Sequence, residues 1–282
     1  MVMRENLDGF QGGLQIGWQM VTNLCYADDI ILLATSEAEL HELVDRLDRV
    51  SRKYHILINV DKTKIMASDG IACRILIQNE LLEQVDTFPY LGFLITEDGE
   101  CMTEFRTRLN RGQAIEASLQ KIWKSHNIPI STKIRLMKAL VWPVATYGCE
   151  SWTLRKNEET RLDVFEMKGL RRMLRVSWTA KKTNEWVLNK AGIKRELLDT
   201  VKARKLAYYG HTMRKQGSCL EKEIMQATMP GAWRRGRPRT AWMDNTKMST
   251  GLSVEESIRM TEDRDKWRKY VHGVANPRIE DG

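Results

Sequence analysis

Hydrophobic residues change their spacing once along this chain, at Glu97-Asp98-Gly99. Before that point they gather in short runs of strand length and composition: Val21 to Tyr26, Ile30 to Ala34, Ile56 to Val60, Lys64 to Ala67, Arg74 to Ile77 and Phe88 to Ile95. Asp61-Lys62-Thr63, Asp69-Gly70 and the polar stretch Asn79 to Thr87 separate the later runs as turns. One helix interrupts the strands. Ser36 followed by Glu39 is a capping-box pattern, and Leu40, Leu43, Val44, Leu47 and Val50 then recur at helical spacing, opposite Glu42, Asp45, Arg46 and Arg49. A helix packed on antiparallel strands is an α+β layer.

After residue 98 the period is helical. Met102, Phe105, Leu109, Ile115, Leu119 and Ile122 predict a long helix that tolerates Gly112. Ile134, Met137 and Val141 predict a second after the Ile128-Pro129 break, with an N-cap at Ser131 or Thr132. Further helical patterns run over Glu158 to Arg175, Asn184 to Asn189, Glu196 to Arg214, Ala241 to Met248 and Val254 to Tyr270, and Pro230 to Arg239 is a Pro/Gly/Arg linker. The expected organisation is three regions: 1–98, 99–215 and 216–282.

Charge follows the same division. Residues 1–98 carry 8 Lys and Arg against 16 Asp and Glu, whereas residues 99–282 carry 37 against 21. A basic surface with scattered tryptophans is the electrostatic footprint of a polyanion binder, although it also serves solubility. Arg171, Arg172 and Arg175 on one predicted helix, and Lys202, Arg204 and Lys205 on another, supply phosphate-binding charge. Trp178, Trp186, Trp233 and Trp242 can stack on unpaired bases or pack in a core. Arg234, Arg235, Arg237 and Arg239 surround Gly236 and Pro238, so that segment is extended; it suits a groove-reaching arm, a solvated linker or a nuclear-import patch.

Cys25, Cys73, Cys101, Cys149 and Cys219 lie far apart with no histidine at ligand spacing, which argues against a zinc knuckle or a disulfide framework. No charged-then-apolar leader opens the chain, and apolar stretches such as Ile30 to Ala34 are far short of a membrane span. Nucleus or cytoplasm is the expected location, with no membrane partner.

Ala27-Asp28-Asp29 sits between two strand-like runs and cannot continue a buried strand, because adjacent carboxylates do not enter a core unpaired. The expected result is a hairpin with acids at its tip. Two like charges about 4 Å apart cost roughly 4 kcal/mol at an effective dielectric of about 20. An exposed turn bears that cost through solvent, and a divalent cation removes it: Mg²⁺ takes hard oxygen ligands, and in phosphoryl transfer such carboxylates clamp the ions that activate the attacking hydroxyl.

Tyr26-Ala27-Asp28-Asp29, bracketed by strand-like runs and followed by the capped helix, resembles the YxDD catalytic hairpin of reverse transcriptases. Asn59-Val60-Asp61-Lys62-Thr63-Lys64 is similar to the N-x-x-K-T segment of that family, and Phe88 to Ile95 looks like its primer-grip hairpin, in the family's order. The overall resemblance is to the enzymes of non-LTR (long interspersed, LINE) retrotransposons, whose C-terminal tails Trp233 to Asp244 resembles. It implies a partial palm over 1–98, a helical thumb or connection over 99–215 and a basic C-terminal region over 216–282. It also implies that Asp28 and Asp29 are catalytic Mg²⁺ ligands and that Lys62 is a general acid or charge stabiliser. Tyr26, Tyr90, Leu91 and Gly92 would contact the primer, and Arg234, Arg235, Arg237 and Arg239 nucleic acid generally. Lys62 also suits a solubilising turn, Leu91-Gly92 plain strand packing and Tyr26 a core position. The implied partners are an RNA template and a DNA primer, with no obligate protein partner.

The departures count as well. The family's palm carries a third metal-binding aspartate on an earlier strand, after the fingers, whereas only 27 residues precede Asp28 here and Asp8 lies between Leu7 and Gly9 in no comparable context. The isolated chain is therefore expected to be inactive as a polymerase. Two other readings stay open: a non-catalytic nucleic-acid-binding protein, and an unselected translated fragment of a mobile element.

Overall fold

In the computed structural model the described residues are 2–217, 219–226 and 242–275, so Trp233 and Arg234, Arg235, Arg237 and Arg239 lie outside them. The chain divides into two compact units, one holding residues 2–100 and 219–226, the other residues 101–217 and 242–275.

The first unit begins with α1 (Val2–Leu7), a hairpin of β1 (Leu14–Ile16) and β2 (Gln19–Val21), and a second hairpin of β3 (Asn23–Tyr26) and β4 (Asp29–Leu32). Helix α2 (Glu37–Lys53) starts where the sequence indicates: the Ser36 hydroxyl accepts from the Glu39 amide at 3.2 Å. The Glu39 carboxylate accepts from the Thr35 amide (2.8 Å), the Thr35 hydroxyl (2.7 Å) and the Gly13 amide, tying the helix start to the chain before β1. Short strands follow: β5 (Lys64–Ile65), β6 (Leu76–Ile77), β7 (Glu80–Leu81), β8 (Glu83–Gln84), β9 (Thr87–Tyr90) and β10 (Phe93–Thr96). Val44 of α2 packs with Ile65, Ile75, Ile77 and Leu82, flanked by Leu32, Leu40, Ile58, Val60 and Cys73. This is the expected α+β layer.

Two local expectations are corrected. Ile56 to Val60 forms no strand, because the Asn59 carbonyl is taken by the Thr63 amide (3.1 Å) and hydroxyl (2.8 Å) and cannot join a ladder; Ile58 and Val60 pack on the core while Ile56 and Leu57 are exposed. Asn79 to Thr87 is more than a connection. Gln78 and Asn79, both at positive φ (55° and 64°), make the two-residue turn from β6 to β7, and β8 then pairs in parallel with β5. Two-residue strands show no periodicity, so the pattern hid them.

The second unit is helical. It contains α3 (Met102–Ser118), α4 (Gln120–Lys124), α5 (Ile130–Leu136), a π-helical turn at Met137–Val141, α6 (Trp142–Ala145), α7 (Lys156–Leu174), α8 (Asn184–Ala191) and α9 (Leu197–Met213). Helix α10 (Leu220–Gln226) belongs to the first unit and lies against β1; α11 (Trp242–Thr250), α12 (Val254–Glu262) and α13 (Arg264–Ala275) belong to the second. The expected cap at Ser131 or Thr132 is corrected: Pro129 is the capping residue, its carbonyl accepting from Lys133 N (3.2 Å), and both hydroxyl residues lie in the first turn. Pro143 removes a helical donor, and the wide turn just before it takes up the misfit. Gly112 is tolerated because a Cβ there would lie 2.8 Å from the Ala145 Cβ and 3.0 Å from the Phe165 ring: only a bare backbone lets α3 come this close to α6 and α7. Trp123, Trp152, Leu162, Leu170, Leu206 and Tyr209 are fully buried, and Phe105 meets Trp152 edge to face at 5.0 Å.

Candidate active site and nucleic-acid interface

The β3–β4 hairpin pairs Tyr26 with Asp29 across a two-residue turn, Ala27-Asp28, with Ala27 at φ 53°. Positive φ at the first turn position marks the mirror-image turns whose twist matches the flanking strands. Asp28 therefore stands at the tip and Asp29 opens β4, both exposed, and Tyr26 is 64% exposed rather than a core residue. A second hairpin joins β9 to β10 through Leu91 (φ 48°) and Gly92 (φ 76°), pairing Tyr90 with Phe93. Gly92 adopts its conformation freely, whereas Leu91 carries strain of about 1–2 kcal/mol.

The charge of the first hairpin is felt at the second. Partial burial raises the Tyr90 hydroxyl above the ordinary phenol range, and the Asp29 carboxylate and Cys25 push it in the same direction. Lys62 stands apart from this grouping in its interactions. Asn59 builds the turn that carries it, its side-chain oxygen accepting from the Lys62 amide at 2.9 Å, and the Lys62 side chain is exposed. The neighbouring Lys64 is held by Glu83 at 2.7 Å.

Among the described residues no group of three or more His, Cys, Asp or Glu side chains converges as a metal site. Asp28 and Asp29 are hard oxygen donors of the right chemistry for Mg²⁺, but two neighbouring carboxylates on an exposed turn are a partial donor set and do not make a cation site by themselves.

In the helical unit, most of the nominated cations are engaged inside the fold. Arg171 is buried and donates to the Lys182 carbonyl (2.8 Å) and the Asn184 side chain (3.0 Å), Arg172 pairs with Glu116 (2.9 Å), and Lys202 pairs with Glu159 (2.8 Å). Arg204 donates to the Thr146 hydroxyl at 2.9 Å. Lys205 is buried against the Trp152 carbonyl (2.9 Å), the Asn245 side chain and the Trp242 ring, and burial lowers its ammonium to about 7. Trp242 is likewise structural, its indole N–H bound to the Glu150 carbonyl at 2.9 Å. Among the nominated side chains that are described, Arg175 and Trp186 are exposed. Sequence reasoning passed over His126 and Lys133, which sit near Arg175; they come from separate segments, so no spacing could have linked them.

Residues 2–95, which hold both hairpins and Lys62, match the family described as reverse transcriptase (RNA-dependent DNA polymerase). The chain carries a reverse-transcriptase segment. Its similarity to an uncharacterised transposon-derived protein of Caenorhabditis elegans runs further, at 27% identity over 282 residues, covering 92% of this chain and 98% of that one. The reverse-transcriptase match ends within β10, whereas the similarity to the nematode protein takes in most of the helical unit as well. No helix of the described residues is long and apolar enough to cross a membrane.

Proposed function

We propose that this chain is a reverse-transcriptase remnant of a non-LTR (LINE-type) mobile element that keeps the nucleotidyl-transfer hairpin, binds nucleic acid and does not extend a primer by itself. The observation that carries the reading is the acid-tipped hairpin of Asp28-Asp29, followed by the Leu91-Gly92 hairpin, within the residues that match the family. In this reading Asp28 and Asp29 are the metal-facing carboxylates, and Tyr26, Tyr90, Leu91 and Gly92 border the primer end. Lys62 serves the leaving group as a charge stabiliser. The arginines 234, 235, 237 and 239 contact the nucleic-acid backbone, and RNA template and DNA primer are the partners. Inactivity is part of this reading because two carboxylates on one turn fill little of an Mg²⁺ coordination shell, and a further carboxylate has to join Asp28 and Asp29 before the ion is held in a reactive position.

Primer extension on an RNA template, with the 282-residue chain and millimolar Mg²⁺ or Mn²⁺, tests this directly. No extended product is expected, while a salt-sensitive gel shift with the same primer and template is, and Asp28→Asn should leave that shift unchanged. Extension by the chain alone would overturn the inactive reading, and a shift abolished by Asp28→Asn would place the acids in binding rather than chemistry.

A further inference from the structure

Helix α7 ends at Leu174, and Arg175 turns out of it in the left-handed conformation (φ 57°), its amide bonded back to the Arg171 and Arg172 carbonyls. Glycine or asparagine is the usual occupant of such a position, so a long cationic side chain there is conspicuous. The Arg175 guanidinium lies 2.7 Å from Nε2 of His126, an exposed residue in the loop between α4 and α5. Lys133, in the first turn of α5, is 5% exposed; its ammonium donates to the Trp123 carbonyl (2.9 Å) and the Ser125 carbonyl (2.7 Å), pinning the chain that leads to His126. Burial lowers the Lys133 ammonium, and the Arg175 charge lowers it further.

Two segments thus bring an arginine and a histidine together, and a buried lysine from a third holds the loop that carries the histidine. Among the described residues no carboxylate forms an ion pair with any of the three; Glu116 of α3 is held by Arg172, on the last turn of α7, at 2.9 Å. Like charges gathered without a counter-charge oppose folding, and an anion offsets that. A guanidinium presents forked donors matched to phosphate oxygens, and imidazole adds a further donor from its free nitrogen.

We propose that Arg175 and His126 form a clamp for one phosphodiester of a nucleic-acid backbone, with Lys133 as the positioning residue that holds the His126 loop. The clamp rests on the nucleic-acid reading above and gives it a location on the helical unit. Nucleic acid is favoured over an acidic peptide because an aromatic platform lies close by. Arg171, one helical turn before Arg175, holds the start of α8 through Lys182 and Asn184, and Trp186 of α8 is 39% exposed with the Lys182 ammonium 5.2 Å above its ring. A carboxylate-rich peptide would use the charge and leave the ring idle, whereas an unpaired base uses both.

The test is fluorescence anisotropy with a labelled single-stranded RNA of about 20 nucleotides, a length that covers more than one phosphate site. The intact chain, Arg175→Asn and Lys190→Gln are compared; asparagine keeps a residue suited to the left-handed position, and Lys190 is an exposed lysine of α8. Arg175→Asn should weaken binding about tenfold at ~0.1 M salt and lower the slope of log K against log salt by about one, while Lys190→Gln changes affinity less than about twofold. If Arg175→Asn binds like Lys190→Gln, the clamp is wrong and the nucleic-acid reading stands. If the parent binds no RNA even at low salt, both fall. Polyglutamate and phosphatidylserine vesicles serve as competing polyanions, and equal binding to either with the same loss in Arg175→Asn would overturn the assignment to nucleic acid.

Discussion

Glu166 sits in α7 with 1% of its surface exposed, and its carboxylate caps a different helix, accepting from the Glu196 amide (3.2 Å) and the Leu197 amide (3.3 Å) at the start of α9. Burial pushes its carboxyl up to about 7 against the opposing pull of those two amides. A raised acid favours the fold most below its unfolded value, and that contribution disappears as pH climbs from about 4.5 to about 7. Glu166→Gln should therefore gain stability relative to the parent across this window, by on the order of 3 kcal/mol between its two ends. Urea unfolding of both proteins at pH 4.5 and pH 8 measures the difference, and a gap that does not change with pH would contradict the assignment. At the acid hairpin the expectation is different. Asp29→Asn removes an exposed charge and should shift Tm by less than about 2 °C, yet bring the Tyr90 hydroxyl part of the way back toward the ordinary phenol range. An NMR titration of tyrosine-labelled protein follows that one ring, and an unmoved Tyr90 would mean that the two hairpins are not neighbours.

Among elements, the crossing of α9 and α13 shows how much can hang on one missing methyl group. A Cβ on Gly210 would fall 2.2 Å from Nε1 of Trp267, whose indole lies against α9 and donates to the Leu206 carbonyl at 2.9 Å. Gly210→Ala should cost about 3 kcal/mol, since the indole must leave its seat. Gly273→Ala, in the same α13 but with open space around the added carbon, should be neutral or stabilising by up to about 1 kcal/mol. Thermal denaturation of the pair separates packing from helix propensity, and equal effects would refute the close crossing. These elements also show what the sequence disclosed. Ser36 and the Leu43, Val44, Leu47 stripe announced α2 in full, and the strand-acid-strand pattern announced the β3–β4 hairpin, because both depend on neighbours a few residues away. The parallel pairing of β5 with β8, the approach of Tyr90 to Asp29 and the meeting of His126 with Arg175 were invisible, because each joins distant segments through tertiary packing that no local period encodes. The engaged cations make the same point. A basic residue on a helix reads as phosphate-binding until the fold shows Arg172 on Glu116 and Lys205 beneath Trp242.

At the scale of the whole molecule, the two units differ in how they are built. The first relies on strand pairs of two to four residues and leaves Trp18 (82%), Leu57 (74%), Met20 and Tyr26 exposed. Isolated two-stranded pairs are marginal in water. The second buries large aromatic and aliphatic side chains completely. Unfolding is therefore expected in two steps, the first unit melting at the lower temperature. Seven of the nine tryptophans lie between residues 101 and 217 or between 242 and 275, so their emission should hold through the first step and change in the second. A single transition, coincident by far-UV circular dichroism and tryptophan emission, would sink that expectation, and one broad slope by both would favour an unselected fragment.

Helix α10 lies against β1, where Glu223 accepts from the Trp18 indole at 2.5 Å and from Gln19 at 3.3 Å. During synthesis, then, the amino-terminal strands leave the ribosome long before α10, and the Trp18 indole and the Gln19 amide must wait for Glu223 while more than a hundred intervening residues are made. Until Glu223 is made, the Trp18 indole is left to water, so the β1–β2 hairpin gains its Glu223 contacts late in translation.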